Sequence, residues 1–281
     1  MCGRYAASAS PDSLVEEFEV EVDGTGEPGV PVMRNPQSPA PGEPDWNVAP
    51  SKQVPVVLTR TPRGEDDADP QRQLRLLSWG LVPPWAKELS VGNRMINARS
   101  ETLFDKRTFA GPARTRRCLV PADGWYEWQA SPVATNASGK PRKQPFFMSR
   151  TDDSPLAFAG LYEFHKVQEL APAEGPVPAD AWVISFTILT QDAEPGLDRI
   201  HDRQPVVIEP EDWAAWLDPT ATDDAHVTEL LAHRPEGRFR AWPVSTAVSR
   251  VAQNGPELVE PVGREQLVGV VDPVTGEILG G

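Results

Sequence analysis

Trp182-Val183-Ile184-Ser185-Phe186-Thr187-Ile188-Leu189-Thr190 is a run of β-branched, aromatic and aliphatic side chains interrupted only by small hydroxyls. Such content over nine residues, with no charge and no proline, predicts a strand. Residues 54–59, 74–79, 146–149 and 156–164 have the same character, and most of these runs are bounded by polar loops. The intervening segments 61–73, 131–144 and 168–180 are rich in proline, glycine or charge and read as hairpin or crossover tips. Helical patterns are fewer. Ser10-Pro11-Asp12 supplies a cap, a first-turn proline and an acid before Leu14, Val15 and Phe18. Pro210 precedes Trp213, Trp216 and Leu217, and Val227, Leu230 and Leu231 form another apolar stripe. The expected fold is therefore one α+β domain with a strand-rich, barrel-like mixed core, a few peripheral helices and a cleft that collects segments far apart in sequence. Residues 21–45, with six prolines among glycines and acids, read as a surface insertion.

Composition bounds the function. The chain has 281 residues, is 39% hydrophobic and carries nine tryptophans, enough for one substantial core. No stretch approaches 18 uninterrupted apolar residues and the opening segment lacks a basic region followed by an apolar run, so a cytoplasmic, non-membrane protein is expected. Cys2 and Cys118 are too few for a disulfide framework, and with four scattered histidines they make no metal-ligand spacing, so neither metal nor other cofactor is expected. The net charge of −14 argues against a strongly basic nucleic-acid binder. Between residues 94 and 117, however, Arg94, Arg99, Lys106, Arg107, Arg114, Arg116 and Arg117 stand against only Glu101 and Asp105, a local net charge of +5. A positive groove on an acidic body holds phosphates within about 8–10 Å; a solvated basic face is the plainer alternative.

Cys2 is the residue with the most distinctive chemistry. Removal of Met1 leaves an α-amine and a thiol on one residue, with ordinary pKa values of about 7.7–8.0 and about 8.5. That pair condenses with an aldehyde, first as an imine and then as a five-membered thiazolidine. The alternative is a cysteine that simply starts a buried strand.

Four further clusters bear on chemistry. In Trp79-Gly80-Leu81-Val82-Pro83-Pro84-Trp85 the two prolines stiffen an extended turn that either presents Trp85 as a stacking surface or buries it in the core. In Met95-Ile96-Asn97-Ala98-Arg99-Ser100-Glu101-Thr102, Asn97 and Arg99 share a face if the segment is extended, ahead of a helix cap. Asn97 can hold an amine terminus and Arg99 can grip a phosphate. In Asp123-Gly124-Trp125-Tyr126-Glu127-Trp128, a strand turns Trp125 and Glu127 one way and Tyr126 and Trp128 the other, and aromatic surroundings raise the Glu127 pKa. His201, in Ile200-His201-Asp202-Arg203-Gln204-Pro205, is the best-placed proton shuttle, whereas His165, His226 and His233 read as exposed.

These four clusters, with Met1-Cys2-Gly3-Arg4-Tyr5, Trp46-Asn47-Val48-Ala49-Pro50 and Asn254-Gly255-Pro256-Glu257-Leu258, resemble the SOS-response-associated peptidase (SRAP) family, whose members shield abasic sites. The resemblance runs in family order over a domain at residues 2–263, leaving a short C-terminal tail at 264–281. Three features depart from the family pattern: the insertion before Trp46, Gln204 where methionine is common, and that tail. The resemblance implies a covalent crosslink of mature Cys2 to an abasic site in single-stranded DNA, with Cys2, Asn97, Glu127 and His201 catalytic. It also implies that Arg4, Asn47, Trp85 and Arg99 contact DNA. The imine that precedes ring closure predicts a β-elimination (AP-lyase) side activity, and Met1 is removed either by self-cleavage, as the family's peptidase name implies, or by an aminopeptidase; a monomer located with the nucleoid in a bacterium is also expected.

Two other readings of the residues stay open at this level. An N-terminal-nucleophile amidohydrolase also begins, once mature, with cysteine and glycine, but it leaves Arg99, Glu127 and His201 unexplained. A non-covalent single-strand binder suits the basic segment and the aromatics but gives Cys2 no role.

Overall fold

The computed structural model describes residues 2–26, 35, 37–40, 42–61, 68–166, 182–232, 235 and 237–280. Its strands are β1 (Arg4–Ala7), β2 (Val22–Asp23), β3 (Asp45–Val48), β4 (Gln53–Arg60), β5 (Gln71–Trp79), β6 (Asn97–Arg99), β7 (Arg117–Ala122), β8 (Gly124–Thr135), β9 (Pro141–Arg150), β10 (Leu156–Lys166) and β11 (Trp182–Asp192). They are followed by β12 (Arg203–Pro205), β13 (Phe239–Pro243), β14 (Val270–Val271) and β15 (Ile278–Leu279). Among the described residues, four α-helices, α1 (Pro11–Glu17), α2 (Arg107–Thr115), α3 (Trp213–Leu217) and α4 (Asp224–Ala232), lie between them.

β5 runs antiparallel to β4, β4 to β7, β7 to β10 and β10 to β11. β11 then meets β5 in parallel, Ser185 beside Ser78 and Phe186 beside Trp79, which closes a five-stranded mixed barrel. The expected strand-rich, barrel-like core is thus what the chain forms. β12 and the parallel strand β6 extend β11, and β2 extends β5. A second sheet, in the order β13-β9-β8-β1-β3, is antiparallel throughout and packs Cys2, Tyr5 and Trp125 onto the barrel residues Val56, Trp79, Phe158 and Phe186.

The barrel strands are apolar without strict alternation because both of their faces are buried. Val54, Val56 and Leu58 of β4 join the core shared with the second sheet, whereas Val57 joins the core under the helices. On β10, Phe158 faces the first core, and Ala157, Ala159 and Leu161 face the second. That outer core is completed by Leu14 and Phe18, Phe109 and Ala113, Trp213 and Trp216, and Val227 and Leu231. α1 starts as its sequence dictates: Ser10 accepts from the Ser13 amide and Pro11 occupies the first turn. A third cluster, on the far face of the second sheet, buries Tyr126 and Phe147 against Val244, Val248 and Leu258.

Several local expectations change. Ser100 opens only a 3-10 turn, and the helix begins at Arg107; Gly111 and Pro112 inside it hid it from a propensity reading. Segment 131–144 is mostly ladder, since β8 and β9 continue to Thr135 and from Pro141 and leave a turn held by Asn136. The insertion at 21–45 and segment 61–73 lie partly, and segment 168–180 wholly, outside the described residues, as does His233; residues 71–73 belong to β5 rather than to a tip. Of residues 264–281, Leu267 and Val270 are buried in the same core as Cys2, so this segment is packed rather than trailing.

Candidate functional site

The site is assembled at the edge where β6, β8 and the segment before β12 meet the start of β1. Gly80, at φ +125°, makes the turn after β5 possible: a Cβ there would lie 2.7 Å from the Gly92 carbonyl oxygen. Around that turn the indole of Trp79 donates to the Ile96 carbonyl at 2.9 Å, and β6 pairs in parallel with β11, Asn97 beside Ile188 and Arg99 beside Thr190. Ala98 is buried between them, so Asn97 and Arg99 do share the outward face. Asn97 Nδ2 donates to the Cys2 carbonyl at 2.7 Å across 95 positions of sequence, and Asn97 Oδ1 is buried without a hydrogen-bond partner among the described residues.

Cys2 is fully buried, its Sγ 3.9 Å from the Arg4 carbonyl. Burial, and next the charge of Glu127, push its thiol well above the usual range. On β8 the expected alternation holds: Trp125 packs in the core with Cys2 and Tyr5, while Tyr126 and Trp128 face the opposite cluster. Glu127 is 3% exposed, and burial, with a lesser contribution from Asp202, pushes its carboxyl up to about 7. The carboxyl is thereby poised to hold or release a proton near neutrality.

His201 is half-buried, and that burial lowers its pKa against the opposing pull of Asp202. Its Nδ1 accepts from the Arg203 backbone N–H at 3.0 Å and also lies 2.8 Å from Asp202 Oδ1. These two partners cannot be satisfied by one tautomer, because the amide needs a lone pair on Nδ1 and the carboxylate needs a proton there. The ring therefore has a partner for either placement of its proton. Asp202 and Lys143 act electrostatically on both Glu127 and His201, and Gln129, two residues beyond Glu127 on β8, donates to the carbonyl of Arg199, two residues before His201, which lays the two segments side by side. Arg203 fastens the His201 segment to β6: it grips both Glu101 oxygens at 2.9 Å, Asp192 Oδ1 at 2.6 Å and the Thr190 carbonyl at 2.7 Å.

The residues expected to touch DNA divide. Trp85 is 62% exposed, a free stacking surface, and Arg99 is exposed on β6. Arg4 is half-buried and donates to Asn47 Oδ1 and the Val248 carbonyl, both at 2.7 Å. Asn47 does not fit its expected place: it is fully buried, and its amide donates to the carbonyls of Val248, Arg250 and Gln253 while accepting from Arg4. The corner that carries it is fixed by Lys52, fully buried, whose Nζ contacts both Asp45 oxygens and the Asn47 carbonyl. Removing one partner of such a pair costs about 3–5 kcal/mol.

The basic segment also needs correction. Arg114 is held by Asp224 and Arg116 by Glu163, and Arg117 is buried against four backbone carbonyls. Only Arg94, Arg99, Lys106 and Arg107 of the seven are exposed. His165 is buried, not exposed, with Nδ1 donating to the Pro83 carbonyl at 3.0 Å; it braces the turn that presents Trp85. Three contributors escaped the sequence reading. Lys143 falls in a segment that reads as a tip, Arg203 reads only as part of a motif, and Gln129 is a buried amide two residues beyond Glu127. A polar side chain at that spacing from Glu127 on an otherwise aromatic strand was the available signal.

Among the described residues, no helix is long and apolar enough to cross a membrane. Comparison with known proteins matches residues 1–251 to the model of the SOS response associated peptidase (SRAP) family. The chain is 33% identical to the abasic site processing protein YoqW of Bacillus subtilis over 262 residues, 92% of this chain and 99% of that one. It is 30% identical to the abasic site processing protein HMCES of Pongo abelii, over 93% of this chain and 76% of that one. Among solved structures, a protein from Bacteroides thetaiotaomicron shares the fold, with a TM-score of 0.70 at 19% identity over 93% of this chain and all of that one. A phage-related protein from Bordetella bronchiseptica aligns with a TM-score of 0.57 at 31% identity, over 86% of this chain and 94% of that one. With its barrel, its converging Cys2, Asn97, Glu127 and His201, and a family match over most of its length, the chain belongs to the SOS response associated peptidase family.

Proposed function

We propose that this protein, once Met1 is removed, joins itself covalently to abasic sites in single-stranded DNA through Cys2. The observation that carries this reading is the meeting of residues 2, 97, 127 and 201 around one aminothiol, and the relatives' designation as abasic site processing proteins agrees with it.

The steps follow from the side chains. An abasic sugar is mostly a closed hemiacetal, and His201, neutral at cellular pH because burial lowers its pKa, moves the proton that opens the ring. The Cys2 amine adds to the aldehyde carbon and water leaves, giving an imine. The thiol then adds across that C=N bond: a C–S bond forms, the thiol proton departs and the former imine nitrogen gains one. Because burial keeps the resting thiol protonated, ring closure needs a base, and Glu127, titrating at about 7, supplies it and returns the proton to nitrogen. Asn97, already bonded to the Cys2 carbonyl, orients the terminus, and its unpartnered Oδ1 is placed to accept from the freed amine. Trp85 stacks beside the lesion, and Arg99, with Arg4 behind it, holds the flanking phosphates.

The deciding measurement is intact mass spectrometry after incubation with an abasic oligonucleotide. The expected product is the protein without Met1 plus the oligonucleotide less one water, and an intact oligonucleotide gives none. A full-length protein that keeps Met1 and still forms the adduct, or a mature one that forms none, overturns the reading. His201→Ala is expected to slow adduct formation about 100-fold below saturation, the usual scale of a general acid–base contribution. An unchanged time course removes His201 from the mechanism.

A further inference from the structure

We propose that the C-terminal hairpin β14–β15 is the positioning element that holds His201 against Glu127, acting through Arg199 and Gln129. This rests on the role given to His201 above.

The hairpin is built into the site from two sides. Gln129, 2% exposed and on the same face of β8 as Glu127, donates from Nε2 to the carbonyls of Arg199 at 3.0 Å and Val271 at 2.9 Å, and accepts from the Val271 N–H at 2.7 Å. One buried amide therefore ties the strand of Glu127, the segment of His201 and the hairpin together. The side chain of Arg199 closes the loop from the other end, Nη1 donating to the carbonyls of Pro273 at 2.8 Å and Val274 at 2.9 Å. Between Arg199 and His201 the backbone has little freedom, since the Ile200 and His201 amides both donate to the Leu197 carbonyl. Ile200 is itself buried with Leu267 and Val270 of the C-terminal segment.

The turns make the close approach possible. Gly269, at φ +64°, passes so near β8 that a Cβ would lie 2.5 Å from Ser131 Oγ. Asp272 accepts from the Val274 and Thr275 amides, which leaves the Pro273 and Val274 carbonyls to Arg199. Two guanidinium bonds and three bonds of a buried amide thus link the hairpin to the segment that leads into His201.

The test uses the full-length protein with Arg199→Ala and Arg199→Lys, because Arg199 is exposed and its loss leaves the core intact. Single-turnover crosslinking at saturating abasic DNA is expected to fall roughly 10- to 100-fold in Arg199→Ala, the scale of a displaced catalytic group, and largely to return in Arg199→Lys, whose ammonium can reach the same carbonyls. Affinity for an oligonucleotide with a tetrahydrofuran in place of the abasic sugar is expected to stay unchanged. The His201 imidazole, followed by NMR, is expected to titrate at higher pH in Arg199→Ala as water reaches it, with Asp202, the Arg203 amide, Glu127, Lys143 and the mature Cys2 amine still around it. Equal crosslinking rates and equal imidazole titrations in wild type and Arg199→Ala overturn the proposal. If the wild-type protein forms no adduct, the functional reading fails instead, and the imidazole titration alone decides whether the hairpin positions His201.

Discussion

Cys2→Ala, with Met1 removed, is expected to lose the denaturation-resistant adduct entirely while keeping a weak ability to cut the DNA strand at the lesion. The amine survives the substitution, so condensation with the aldehyde still reaches the imine. Without the thiol nothing closes on that carbon, and the imine either hydrolyses or acidifies the neighbouring sugar C2 proton and eliminates the 3′ phosphate. Cys118 cannot stand in. It is fully buried between Gly160 and Leu58 of the neighbouring barrel strands, and burial raises its thiol pKa well above the usual range. Borohydride is therefore expected to trap the variant on DNA as a reduced amine, and strand cleavage to persist at a low rate. A heat-stable adduct without borohydride would show that sulfur is not the atom that closes the ring; absence of any trapped species would show that the amine does not react first.

How far the sequence announces this arrangement depends on the distance over which each contact is made. The strands are legible because β-branched and aromatic runs have few other uses, and the two-residue period correctly turns Glu127 toward Cys2 and sets Asn97 with Arg99. Closure of the barrel is not legible. It rests on two parallel pairs, Ser78 with Ser185 and Phe186 with Trp79, more than a hundred positions apart, and no local pattern specifies them. The charged side chains mislead for the same reason. Arg114 looks like a phosphate ligand until Asp224, 110 positions away, arrives beside it, and His165 looks exposed until the Pro83 carbonyl covers it. Asn47 is the clearest case: a motif identifies it as important, but whether its amide meets a ligand or the protein's own carbonyls is decided by a loop 201–206 positions downstream.

Glu127→Gln is expected to damage crosslinking severely and to make the protein more stable in mildly alkaline solution. The two effects have one origin, the burial that carries this carboxyl from 4.5 to about 7. Between those values the folded state keeps the proton and the unfolded state releases it, so stability falls as pH rises through that window and levels off above it. The accumulated cost at pH 8 is about 3 kcal/mol, taken at 1.36 kcal/mol for each pKa unit. Glutamine has no proton to lose, so the variant is expected to gain up to about that much in chemical denaturation at pH 8 and almost nothing at pH 4. Activity moves the other way. The wild-type crosslinking rate is expected to rise through about pH 7 as Glu127 ionises into the base that takes the Cys2 proton, and in Glu127→Gln that rise is expected to vanish along with roughly 100-fold of the rate. A stability difference that is the same at both pH values would mean that no proton is held by burial at position 127. A carboxylate ionised at every physiological pH would also be too weak a base to draw the proton from a thiol that burial keeps protonated, and the pH-dependent rise in rate would need another source.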